Sequence, residues 1–314
     1  MNNRAADQDD DFVEKFHKKI TSLDSQEEQQ QRQEKKDTEL DLLRRISRET
    51  AIWSRLHHPN ILEMIEVIRL QDATVIICEL AMGGTLLNYI QRFGHPALKE
   101  REALYFFKQI ASALDYLHNQ VGIIHHDIKL ENILLTENYA VKIADFGLSL
   151  ELLKPHQGVG NIVLPESDPH AHPPNCPGFC CSLKNNTAGP SETIHLSLPR
   201  FKIAQVGNAG SLHYLAPEDL APPSSDQAHL ALPKPFCDMW AAGCCLFALL
   251  TGSLPFNDSF LPRLQMQILN AKYDTAKLLG VSEQARGVVA GLLEKDTEKR
   301  WDVSRVLKSE WLSL

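Results

Sequence analysis

The sequence has no long apolar run and, before Gly83, no glycine at all. Its longest apolar stretch, MWAAGCCLFALL at 239–250, is too short to span a bilayer and predicts a buried helix. The first twenty residues, MNNRAADQDDDFVEKFHKKI, lack the apolar centre that a secretory signal needs. Seven cysteines, an odd number without such a signal, point to a reducing compartment, cytoplasm or nucleus. Basic residues are also in deficit, with a net charge of −8. That balance argues against a nucleic-acid binder or a protein drawn to anionic membranes, and mildly favours basic partners. It says nothing of oligomeric state.

What is present fits 314 residues of ordinary globular composition, 43% apolar and 23% charged, enough for one large domain or two lobes. Residues 1–37 are too polar to build a core. From about residue 38 the pattern changes: Leu42, Ile46, Trp53 and Leu56 recur at helical spacing, with Glu49 on the same face. A carboxylate there either needs a partner or sits at a solvated edge of the stripe. PNILEMIEVI (59–68) and ATVIICEL (73–80) predict two strands around a turn at Gln71–Asp72. After MGGTL, residues 99–120 align Phe106, Ile110, Leu114 and Leu117 on one helix face. Short apolar segments at 132–135 and 141–144 predict a small hairpin, and helices resume near 236. Between them, 151–209 is rich in Pro, Gly, Asn and His and reads as an insertion. It contains His170, His172, Cys176, Cys180 and Cys181, whose spacing matches no common structural zinc site.

The stretch GIIHHDIKLENILL, 122–135, interrupts two apolar flanks with groups that burial tolerates only when they are paired or do chemistry. His125, Asp127, Lys129 and Asn132 are followed by Asp145-Phe146-Gly147 thirteen residues after the asparagine, and then by Ala216-Pro217-Glu218. In that order these residues resemble the protein kinase family, serine/threonine type. The resemblance runs from about Leu42 to Leu312. The large lobe is similar to calmodulin-dependent and AMP-activated kinases, and KIADFGLSLELLKPHQ also to a centriolar Polo-like kinase. It implies an α+β bilobal fold, with a reduced β-rich small lobe at 38–80 and a mainly helical large lobe at 81–314.

The implied activity is transfer of the γ-phosphoryl group of ATP, with Mg2+, to a hydroxyl of a protein substrate. Asp127 would orient and deprotonate that hydroxyl, Lys129 would stabilise charge on the phosphoryl group, and Ser211 would bond both. Asn132 and Asp145 match the metal ligands. The backbones of Glu79 and Ala81 would meet adenine, with Cys78 as gatekeeper and Leu134 as floor. Asp238 would hold the catalytic loop's backbone, Arg300 would pair with Glu218, and Glu131 would attract a basic residue near the phosphosite. Cys244 and Cys245 read as core.

Three departures stand beside the resemblance. The missing glycines exclude the family's glycine-rich flap, and Lys15, in a strand-like segment at 12–20, is the candidate partner for Glu49. His126 stands where kinases switched on by a loop phosphate carry Arg, and Gly207 where the phosphate acceptor is expected. The 151–209 insert lengthens the activation segment. Two functional classes therefore remain: an active kinase, or a pseudokinase that binds and scaffolds.

Overall fold

The computed structural model describes residues 42–70, 73–92, 97–152, 211–220 and 235–314, the side chain of Ser211 excepted. The strand expected at 12–20 with Lys15, the His170–Cys181 group and nearly all of the 151–209 insert lie outside the described residues.

Helix α1 covers residues 42–53. Its apolar stripe needs correction at both ends: Leu42 is 57% exposed, and the buried Leu56 follows the helix rather than belonging to it. The packing partners explain this, because they flank the last turn. Trp53 donates its indole N–H to the Leu62 carbonyl at 2.6 Å and stacks on Phe146 at 6.1 Å. The loop that follows is bolted to helix α3 (Glu100–Asp115) and the π-helical turn Tyr116–Val121. The His57 N–H donates to the Tyr116 hydroxyl, His58 stacks on that ring at 5.1 Å, and Asn60 Nδ2 donates to Gln109 Oε1 at 3.0 Å.

Strands β1 (Met64–Arg69) and β2 (Thr74–Cys78) pair antiparallel, and Leu70 N–H to the Ala73 carbonyl closes their connection. Gln71–Asp72 lie outside the described residues. β1 starts later than the expected residue 59 because 60–62 are engaged elsewhere: Asn60 and Leu62 exchange backbone hydrogen bonds with Ile143. Met64, Val67, Ile76 and Cys78 turn inward, while Ile68, Val75 and Ile77 are 37–41% exposed.

β3 (Gly84–Thr85) leads into α2 (Leu86–Arg92) and joins a sheet in the order β3-β5-β6, with β5 Ile133–Leu135 and β6 Val141–Ile143. The expected hairpin is therefore present. Ile133, Leu135, Val141 and Ile143 have no exposed surface, whereas Leu134 and Lys142 share the opposite, half-buried face. β4 (Ile123–Ile124) pairs with β7 (Leu150–Glu151), and Gly122, left-handed at φ 72°, ends the turn before β4.

Helix α4 (Pro217–Leu220) precedes α5 (Phe236–Thr251), which is apolar on every side and accordingly buried at every residue from Cys237 to Leu250. Cys244 and Cys245 are core, and burial pushes both thiols up, out of reach of thiolate chemistry. A Cβ on Gly243 would lie 2.8 Å from the Leu292 Cβ, so this glycine sets the close approach of α7 (Glu283–Leu292). α6 (Leu261–Leu269), α8 (Val303–Leu307) and α9 (Glu310–Ser313) complete the lobe. Ser282, Asp302 and Ser309 cap α7, α8 and α9 through side-chain oxygens. Glu100 accepts from the Ser282 N–H and the Trp311 indole, joining α3, α7 and α9. Among the described residues no helix is long and apolar enough to cross a membrane.

Arg300 pairs with Glu218 in the expected bidentate manner, 2.6 Å to Oε1 and 2.9 Å to Oε2. It also donates to the carbonyls of Phe236 and Glu294, both at 2.8 Å, and lies over Trp240 at 5.0 Å. The arginine side chain is wholly buried and Glu218 is one-third exposed. Losing one partner of such a pair costs about 3–5 kcal/mol. Arg300→Ala should therefore lower the thermal midpoint clearly; an unchanged melting curve would mean that the pair contributes nothing to the lobe.

Asp219, the next residue along, is half-buried. Burial first, then the charge of Glu218, push its carboxyl up to about 7, with Arg300 opposing. The folded value exceeds that of the unfolded chain, so ionisation costs stability as pH rises from about 4, and the cost is complete above about 7. Asp219→Asn should match the wild type at pH 4, gain on it up to pH 7 and hold a constant advantage beyond. Melting curves at pH 4, 5.5, 7 and 8 test this; a gap that does not widen over that range overturns it.

Candidate active site

The hairpin β5–β6 carries the site at one end. Residues 125–132 enter β5, and Asp145 leaves β6. The Ala144 N–H donates to the Asn132 carbonyl at 2.9 Å, which keeps the two segments side by side.

The loop backbone is held from α5. Asp238 accepts the His125 N–H on Oδ2 and the His126 N–H on Oδ1, both at 2.8 Å, and Oδ2 also meets His118 Nε2 at 2.8 Å. Burial works against ionisation of this carboxyl, but the hydrogen bond and charge of His118, helped by His126 and His125, hold it down to about 2. His126 sits at φ 65° and Asp145 at φ 70°, a region non-glycine residues enter at a cost of about 1–3 kcal/mol each. The bonds to Asp238 maintain the first of these conformations.

His125 has no exposed surface, and its ring joins three parts of the site. Nε2 lies 3.2 Å from the Ala144 carbonyl, and Nδ1 accepts the Asp127 N–H at 3.2 Å. That pairing requires a neutral ring protonated on Nε2, and burial lowers its pKa in agreement. Phe146 packs against it at 4.9 Å and against Trp53 on the other side.

Asp127, Lys129, Asn132 and Asp145 come together. Lys129 Nζ lies 2.6 Å from Asp127 Oδ2, and Asn132 Nδ2 donates to the same oxygen at 2.8 Å and to the Asp127 carbonyl at 3.0 Å. With Oδ2 doubly engaged, Oδ1 of Asp127 is, among the described residues, the oxygen left to accept a proton. Asn132 Nδ2 is also 3.5 Å from Asp145 Oδ2. Among the described residues no cation pairs with Asp145, whose Oδ1 accepts only the Gly147 N–H at 3.3 Å. A Cβ on Gly147 would stand 3.2 Å from Asp145 Oδ1 and 3.6 Å from Glu49 Oε2, so the glycine leaves the space in front of both carboxylates open. Asn132 turns its amide nitrogen, not its oxygen, toward Asp145, but an asparagine amide oxygen and a carboxylate are ligand types that suit a hard divalent cation.

Glu49 faces this corner from α1. Burial, then the charge of Asp145, raise its pKa, and no cation among the described residues lies within pairing distance. Lys15, its expected partner, is outside the described residues, as is the side chain of Ser211. Cys78 at the end of β2, Glu79 and Ala81 in the linker and Leu134 on β5 are all half-buried. The Glu79 N–H is already donated to the Glu63 carbonyl at 2.9 Å, which leaves its carbonyl for a ligand. Oε2 of Glu131 is buried and has no hydrogen-bond partner among the described residues.

The sequence reading overlooked His118, Asn60 and Lys142. His118 had a signal: it follows Leu117 and lies four residues after Leu114, a polar residue on an apolar stripe. Lys142 and Glu79, 2.7 Å apart, lie 63 positions apart in the chain, and no local pattern links them.

Comparison with known proteins identifies the family. A family model described as Protein kinase domain matches residues 14–164 and 197–312. Probable serine/threonine-protein kinase HSL1 of Saccharomyces cerevisiae is 30% identical over 269 residues, 84% of this chain and 14% of that protein. CBL-interacting serine/threonine-protein kinase 9 of Arabidopsis thaliana is 28% identical over 270 residues, 86% of this chain and 48% of that protein. The chain thus spans less than half the length of these two relatives.

Proposed function

Because the chain belongs to the protein kinase domain family, we propose that it is an ATP- and Mg2+-dependent serine/threonine protein kinase. The observation that carries this reading is the contact chain Lys129–Asp127–Asn132–Asp145, in which no separation exceeds 3.5 Å. Asp127 takes the proton of the substrate hydroxyl on its uncommitted Oδ1. Lys129, paired with Oδ2, keeps the carboxylate oriented and offers positive charge to the transferred phosphoryl group. Ser211 joins them from the activation segment. Asn132 and Asp145 hold magnesium, which when bound neutralises the charge of the triphosphate. The Glu79 carbonyl and the Ala81 backbone receive adenine over Leu134, and Lys15 is the cation we assign to Glu49. Glu131, beside the loop, attracts a basic residue near the phosphosite of the protein substrate.

A second reading, a scaffold without transfer activity, is favoured by one observation: the sequence has no glycine before Gly83 to form the family's phosphate-covering flap. Incorporation of labelled phosphate from Mg2+-ATP separates the two. Asp127→Asn should abolish incorporation while leaving the melting temperature nearly unchanged, since the isosteric amide preserves the loop. Wild-type incorporation no higher than that of Asp127→Asn would sink the enzyme reading.

Control of the site is expected to be independent of loop phosphate. His126 contacts Cys237, with Nδ1 3.6 Å from Sγ, and burial lowers its pKa, so the ring is neutral near pH 7 and a poor receiver for a phosphate. With Gly207 at the usual acceptor position, phosphatase treatment should leave activity largely intact, and so should deletion of 155–200. A large loss on phosphatase treatment would show that a serine or threonine in 182–211, such as Thr193, acts as the switch.

A further inference from the structure

β6 is three residues long, and two of them, Val141 and Ile143, are wholly buried. Lys142 between them lies directly across from Leu134 on β5. Cross-strand partners share a face, so the lysine rises from the sheet on the same side as the proposed adenine floor. It does not extend into solvent: its side chain is 13% exposed and Nζ lies 2.7 Å from Glu79 Oε2.

Glu79 is itself tied in two directions. Its N–H donates to the Glu63 carbonyl at 2.9 Å, and its Oε2 accepts the Glu63 N–H at 3.4 Å. One carboxylate therefore connects the residue before β1, the linker after β2 and the large-lobe strand β6. The neighbouring cross-connections are backbone bonds of Asn60 and Leu62 to Ile143, one residue from Lys142. Among the described residues, the linker segment whose carbonyl is left for a ligand thus meets the sheet beneath it through this ion pair at Glu79, and next through the Gly83 N–H, which donates to the Leu135 carbonyl at 2.8 Å.

We infer that Lys142 is a positioning residue for the nucleotide base: through Glu79 it sets the height of the 79–81 linker above Leu134. This rests on the kinase reading and deepens it, naming a determinant of the adenine end of the cleft as distinct from the phosphate end. The geometry carries two consequences. Loss of the pair weakens adenine-bearing ligands and spares ligands that consist of phosphate alone. The effect also depends on the charge of the pair, because the contact that disappears is ionic.

The test uses the full chain, with ADP and tripolyphosphate binding measured by calorimetry in Mg2+ and with KM for ATP. Lys142→Met should weaken ADP and raise KM about three- to tenfold, in the lower part of the range to which coupling between contacting residues converts. Its kcat and its tripolyphosphate affinity should stay within about twofold. Lys142→Arg, which keeps the charge, should stay near wild type. The reversed pair, Lys142→Glu with Glu79→Lys, should bind ADP better than either single reversal. Equal weakening of ADP and tripolyphosphate, unchanged ADP affinity in Lys142→Met, or no recovery in the reversed pair each overturn the assignment. A wild type that binds neither probe overturns the nucleotide site itself, and this assignment with it.

Discussion

The site depends on one buried carboxylate. Asp238 stands on a helix enclosed on all sides and accepts two successive backbone amides of the loop that carries Asp127. A loop with His126 in the left-handed region does not keep that conformation by local preference. Satisfied by His118 as well, Asp238 stays ionised in the core and fixes both amides at once. From there the order propagates outward. His125 orients the Asp127 N–H and the Ala144 carbonyl, and Phe146 is wedged between His125 and Trp53. The segment bearing Asp145 thus inherits its position from a helix more than ninety residues downstream.

The contrast with Glu49 is instructive. Both are acids away from bulk water, but Asp238 has a proton donor for each oxygen while Glu49 has a second carboxylate for a neighbour. Burial raises the pKa of an unpaired acid and hydrogen bonds lower it, so the two are displaced in opposite directions. One is a finished structural element. The other is an acid whose ionisation burial and Asp145 disfavour, so a cation brought to it is what would favour its charge.

Much of this was legible in the chain. The spacing of Phe106, Ile110, Leu114 and Leu117 marked α3 and the π-helical turn that continues it, and the uniformly apolar 239–250 marked a buried helix, because burial imposes periodicity or its absence directly on residue type. The polar residues of 125–132 stood out against apolar flanks for the same reason. The first turn of α1 misled because Leu42 fits the helical period while the surfaces that bury α1 lie at its other end. Periodicity reports which face is apolar, not how far along the helix its partner extends.

Sequence by itself determined the candidates for the site: Asp127, Lys129, Asn132 and Asp145 are residue types whose order resembles that of the protein kinase family. It also determined the core, since apolar patterning records the energetics of burial one residue at a time. Tertiary structure alone decided which oxygen of Asp127 is committed, that His118 supports Asp238, and that Lys142 meets Glu79. Those facts depend on distances between residues far apart in the chain. A hydrogen bond or ion pair exists only within a few ångströms, and strand register and helix packing set such distances, which no run of neighbouring residues encodes.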